Sequence, residues 1–243
     1  GMYGTPGKSF TQVLESLDPS ENYKGTSLEG MDAYQRQLKR FDIHVKGAGS
    51  DPVEKFFRTT ESSVLFPEYV ARSVRQGMEE SNILPDITAA TTQIDCMDYR
   101  SIYSVPTAEE KTLKRVEPGA SIPQTEVKAR ENLVKLHKRG RMLVASYEAI
   151  RFQRLDLFSV MLRQIGTQIM RMHLEDAIQV IEHGDGNNNA ATAFTVGDGV
   201  IGGNAGTLDY AALLKFWNQF DPYTMNTLLV SPDAMMALLQ CAE

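Results

Sequence analysis

The chain has 243 residues, a formal net charge of -6, and 42% apolar against 23% charged side chains. That is enough chain for one large domain or two smaller ones, and the balance is ordinary for a globular protein. The acidic surplus argues against a surface dedicated to nucleic acid, though not against a local basic patch. Cys96 and Cys241 form no CxxC pattern, so a reducing compartment without disulfides is expected. No apolar run approaches the ~20 residues of a membrane span, and the N-terminal residues do not form a signal peptide. A cytoplasmic protein without membrane contact is expected. Gly1 ahead of Met2 reads as a tag-cleavage scar.

In chain order, residues 1–50 are polar and turn-rich and read as a flexible arm, or as one that orders against a neighbouring subunit. Inside them Met31 to Phe41 is a short amphipathic segment, and Gly47-Ala48-Gly49-Ser50 reads as a hinge. Pro67 fits the first turn of a helix running to about Glu80, with Val70, Val74 and Met78 on one face. Ile83 to Ile94 and Tyr99 to Val105 have the threonine, isoleucine and tyrosine content of strands. Thr107 to Gln124 carries Glu109, Glu110, Lys111, Lys114, Arg115 and Glu117 ahead of Pro118-Gly119, with little that could enter a core. Flanked by strand-like segments, the last of them Glu126 to Ala145, it reads as a long charged β-hairpin projecting from the body. Two-stranded ribbons are marginal in water, so such a hairpin needs a partner to hold it.

Tyr147 to Glu182 reads as one very long helix. Leu155, Phe158, Leu162, Ile165, Ile169 and Met172 recur at spacings of three and four, and Ser146 and Gly184 stand at its ends as caps. At 1.5 Å per residue it would span about 54 Å. Gly184 to Gly206 follows as glycine- and asparagine-rich loop. Then come a helix over Tyr210 to Phe220, a buried strand at Asn226 to Val230, and a last helix over Ala234 to Gln240.

No motif in the chain supplies a credible catalytic, cofactor or metal site. Gly4-Thr5-Pro6-Gly7-Lys8-Ser9 lacks the leading glycine and the strand of a P-loop. Gly197 to Gly202 spells GxGxxG, but the next helix begins too late to offer its N–H groups to a pyrophosphate. Asp185 to Asn189 lacks the later glycine and acid of a calcium loop. His173, Glu175 and Asp176 share a helical turn without the Glu-x-x-His pairs of a di-metal bundle.

The order of parts resembles the major capsid proteins of tailed bacteriophages and prophages, the Hong Kong 97-like family. The resemblance rests on a strand ending Val144-Ala145-Ser146-Tyr147-Glu148 that runs into the long helix. It rests also on Glu175-Asp176-Ala177 with Gly184-Asp185-Gly186, and on Tyr210-Ala211-Ala212-Leu213-Leu214 with Leu229-Val230-Ser231-Pro232. It implies an α+β fold with an N-arm over 1–50 and a peripheral-type domain over 51–98 and 126–184. It further implies an extended charged hairpin over 99–125, a spine helix at Tyr147 to Glu182, and a shortened axial α/β subdomain over 185–243. Its implied function is a self-assembling shell around double-stranded DNA, in the virion and before that in the host cytoplasm. Copies of itself are the implied partners, with a scaffold protein or maturation protease. An encapsulin-like compartment shares the layout. A ligand-binding α+β protein or enzyme using the loop 184–206 is the alternative from another class.

Overall fold

The computed structural model describes residues 8–94, 98–99, 102–103, 113, 115–119, 121, 128–129, 133–135, 139–140, 142–196, 206, 208–221 and 223–241. The chain divides into two compact units, Gly1–Asn82 with Arg139–Glu175, and Ile83–Lys138 with Asp176–Glu243.

The first unit is helical, and several of its helices start where the sequence supplies a cap. Helix α1 (Phe10–Leu17) opens on Ser9, whose hydroxyl accepts the Gln12 N–H while the Gln12 side chain accepts the Ser9 N–H. Asp32 and Gln35 repeat this reciprocal box at α2 (Ala33–Arg40), and Thr59 and Ser62 at the single-turn α3 (Thr60–Ser63). Helix α4 (Phe66–Glu80) carries Pro67 in its first turn, where the missing N–H costs nothing. The core joins Phe10, Leu14, Tyr34 and Leu38 to Val53, Phe56, Leu65, Tyr69, Leu155, Phe158 and Leu162. At its centre Phe56 meets Phe66 edge-on with ring centroids 5.5 Å apart, and Phe158 stacks on Phe66 at 6.1 Å. The N-terminal segment is therefore part of the fold, and the detached N-arm of the expected layout is corrected. Its apolar side chains are few but evenly spaced on two short capped helices.

The single long helix is also corrected. Helix α6 (Tyr147–Phe152) ends at Gln153, which is extended, and α7 (Leu155–His183) begins afresh. No proline or glycine causes this break. Instead Val53 N–H donates to Gln153 O and Leu155 N–H to Asp51 O, each at 2.9 Å, so a short antiparallel bridge replaces helical hydrogen bonds. The Arg154 guanidinium holds the strap from the side, donating to Ser50 Oγ at 3.3 Å and to Ala48 O. Tertiary pairing has overridden local helix propensity. Amide hydrogen exchange should show it: the Val53 and Leu155 N–H groups exchange slowly, the latter despite heading a helix. Fast exchange at Leu155 would contradict the strap.

Helices α4 and α7 cross at two glycines. A Cβ placed on Gly77 would lie 2.7 Å from Arg163 Cα, and one on Gly166 would lie 2.9 Å from Met78 N. Both glycines have ordinary helical backbone and are buried, so close backbone approach, and not backbone conformation, is what requires them. Thr167 Oγ1 reaches Gly77 O at 3.4 Å and Ser81 Oγ at 3.1 Å across the same crossing.

The second unit contains the single-turn α5 (Leu84–Ile87), α8 (Tyr210–Asn218), α9 (Pro232–Gln240) and the last turns of α7. The α+β class expected from the sequence is overturned: the described residues are helical and form no extended sheet. Ladders among the described residues are two residues long, β1 (Asp98–Tyr99) with β4 (Val134–Lys135) and β2 (Ile102–Tyr103) with β3 (Lys128–Ala129). The charged stretch from 107 to 112, expected in the long projecting hairpin, lies outside the described residues. At 83–94, Pro85 starts a helical turn where a strand was expected. Residues 226–230 have no ladder partner among the described residues and stay irregular, with Leu228 47% exposed.

Candidate assembly surface

Among the described residues of the second unit, Ala212 is the single buried one. Several ties join the described residues of this unit. The Phe216 ring packs against Phe194 at 5.4 Å and Phe220 at 5.2 Å, and Cys241 Sγ donates to Leu208 O at 3.0 Å. Asp209 caps α8 through the Ala212 N–H, and Ser231 caps α9 through the Ala234 N–H. The helices are thus well terminated but poorly covered. Tyr210, Leu214 and Trp217 recur at helical spacing along one side of α8, and Trp217 is 56% exposed. Met235, Met236 and Leu239 do the same on α9, with Leu239 70% exposed. Apolar surface of this kind marks a face that another surface covers. Burying each of these side chains would contribute about 2 kcal/mol.

The first unit has its own uncovered stretch. Met142, Val144, Tyr147 and Phe152 lead into and along α6 and are largely exposed. Behind α6 lies a mainly apolar cavity of about 390 Å³, lined in part by Val53, Phe66, Ile150 and Phe158.

The predicted site residues fall as follows. Glu109, Glu110, Lys111 and Lys114 lie outside the described residues. Arg115 and Glu117 are described and highly exposed, with Arg115 Nε 3.9 Å from Glu117 Oε1, an ion pair of little energetic weight. On α7, Leu155, Phe158 and Leu162 are buried, while Ile165, Ile169 and Met172 are half-buried. Met170, which the sequence reading passed over, is buried. His173 is exposed, and Asp185 accepts from the N–H and the side-chain amide of Asn187. No group of His, Cys, Asp and Glu with metal-binding geometry occurs among the described residues. Gly4 to Gly7, and Gly197 to Gly202, lie outside them. No described helix is long and apolar enough to cross a membrane.

Sequence reasoning missed two arginine clusters of the first unit, one around buried Arg36 and one around half-buried Arg72. Arg36 is 5% exposed. Its Nε lies 3.0 Å from Asp18 Oδ2, its Nη1 donates to Ser20 Oγ at 2.9 Å and Met31 O at 2.6 Å, and its guanidinium stacks 4.4 Å over Tyr23. Arg72 joins Glu68 at 2.9 Å to the α2 cap Asp32 at 2.7 Å, over the Tyr34 ring. Burial pushes the Tyr34 phenol well up, and that of Tyr69 up to about 12. These clusters fix the N-terminal helices to the core and carry no reactive group.

Comparison with known proteins gives one family match, over part of the chain. Residues 130–243 match the model of a family described as phage capsid protein, and this supports a phage capsid protein. No curated protein and no solved structure matches the chain significantly. The matched stretch includes α6 to α9, and with them every exposed apolar side chain on α8 and α9 noted above.

Proposed function

We propose that this chain is a structural subunit of a phage or prophage capsid, self-assembling into an icosahedral shell around double-stranded DNA. The capsid-family match over 130–243 carries the reading. The thinly covered α8 and α9 supply the physical motive, because their apolar faces gain stabilising contacts from neighbouring copies. Its role is structural and not catalytic. Contact with DNA is electrostatic and independent of sequence, through inner-face Lys and Arg, in a chain whose 31 acidic residues limit that contact. Assembly takes place in the host cytoplasm and ends in the virion. The charged residues Lys111, Lys114 and Arg115 belong to the surface that reaches a neighbouring subunit.

Trp217 is the chain's one tryptophan, so its emission reports on α8 alone. It should shift to the blue as concentration rises, since assembly takes the indole out of water. Trp217→Ser with Leu239→Ser should abolish assembly while the first unit melts as before. Particles that form normally from that double variant would contradict the assignment of α8 and α9.

A further inference from the structure

The first unit holds a groove that a shell subunit's self-contacts, as assigned above, do not use. It encloses about 450 Å³ between α2, the Val45–Gly47 turn, α4 and the first turns of α7. That volume is in the range of sites that take a few side chains of a ligand. Two exposed aliphatic side chains, Leu157 and Val160, stand one turn apart on its α7 wall. Three cations line it. Arg72 is committed to Glu68 and Asp32. The side chains of Lys46 and Arg163 make no hydrogen bond or ion pair with any described residue, and the Arg163 charge acts on the Tyr69 phenol beside it. The one carboxylate on the lining, Asp156, accepts the Leu157 N–H at 2.8 Å.

Two uncommitted cations beside uncovered aliphatic side chains run against the average of a chain whose net charge is -6. A merely solvated basic patch has no need of the aliphatic wall. A nucleic-acid track needs a longer run of cations, with aromatic faces for bases, and the exposed side chains here are aliphatic. A groove between helices that offers apolar contact along one wall and cations at its rim fits an amphipathic segment laid into it.

We propose that this groove docks an acidic amphipathic peptide segment of a partner protein, its aliphatic side chains against Leu157 and Val160 and its carboxylates on Lys46 and Arg163. The planar fork of Arg163 suits a bidentate carboxylate, and Lys46 adds a point charge on the flexible turn beside it. The site does not depend on the shell assignment, because binding is read on the unassembled chain.

The probe is a fluorescein-labelled helical peptide with leucines on one face and glutamates on the other, titrated with the full chain and followed by anisotropy. It should bind saturably and more weakly as salt rises. Lys46→Glu with Arg163→Glu should weaken binding by about tenfold or more, the scale expected for losing two charge contacts. A peptide with lysines in place of the glutamates should prefer that double variant, a swap that a structural defect could not produce. No binding of the acidic peptide, or equal binding by wild type and variant, would overturn the proposal. So would full displacement by inorganic phosphate, which would reveal a simple anion site.

Discussion

In Gly166→Ala the melting temperature of the first unit is expected to fall by about 6–12 °C, the shift that ~3 kcal/mol produces in a chain of this size. Helix propensity alone predicts the opposite, since alanine in a helix interior is favoured over glycine by roughly 0.5–1 kcal/mol. The crossing decides the sign. The new methyl would meet the backbone of α4 at Val74 and Met78, and no flexible side-chain end is there to move aside. Overpacking in a dense core typically costs about 1–3 kcal/mol, and a clash against main chain belongs at or above the top of that range. Gly77→Ala should behave alike, because its methyl faces the backbone of Arg163. Gly49→Ala is the control: nothing lies within 4 Å of its Cβ position, so its melting temperature should hold or rise slightly. Equal melting temperatures for Gly166→Ala and Gly49→Ala would mean that the helices do not cross as described.

Arg36→Met should cost about 3 kcal/mol at pH 7, near the lower end of what breaking a buried ion pair costs. The side chain of Arg36 is 3% exposed, whereas those of Asp18 and Glu15 are 30% and 34% exposed and keep some water. That partial solvation is why the lower end applies. Arg36→Lys should recover little, because one ammonium cannot serve Asp18, Ser20 and the Met31 carbonyl in a single plane.

The penalty should also depend on pH. The Tyr23 hydroxyl donates to Asp18 at 2.8 Å and, with Arg36, holds its carboxyl below the ordinary 3.8. Glu15 is held below 4.5, first by Ser20, against the effect of burial. Carboxyls with lowered folded values stabilise the fold above their unfolded values, and that stability is lost as pH falls through the folded ones. Wild type should therefore lose stability progressively below about pH 4, and the gap to Arg36→Met should narrow there. Melting curves at pH 7 and pH 3 read both effects. A gap that stays constant would show that the arginine acts through packing alone.

Local chemistry was legible where it was local. Ser146, Asp209 and Ser231 cap the helices they precede, and Pro67 and Pro232 sit in first turns, because a cap needs only the residues beside it. The break at Gln153 was not legible, since its cause is the backbone of Asp51 and Val53, about a hundred residues away. Threonine and isoleucine at 83–94, and the apolar run at 226–230, resemble strands. Strand propensity becomes a strand only where a neighbouring ladder exists, and neither segment has a ladder partner among the described residues. Gly166 is a lone glycine inside a helical pattern, and its meaning requires knowing that Gly77 lies opposite. The order of parts resembles that of capsid proteins, and the match of residues 130–243 to a phage capsid protein family supports that reading, while the fold that order implied is not confirmed.

Sedimentation velocity over a rising series of protein concentrations, with electron micrographs of the heaviest fraction, tests the shell assignment most directly. Mass action predicts capsomers or closed particles that grow with concentration at the expense of the lone subunit. Closed particles recovered from a bacterial host should carry nucleic acid, visible in their ultraviolet absorbance. A single subunit-sized species at every concentration would contradict the account, and particles filled with protein instead of DNA would contradict its choice of cargo.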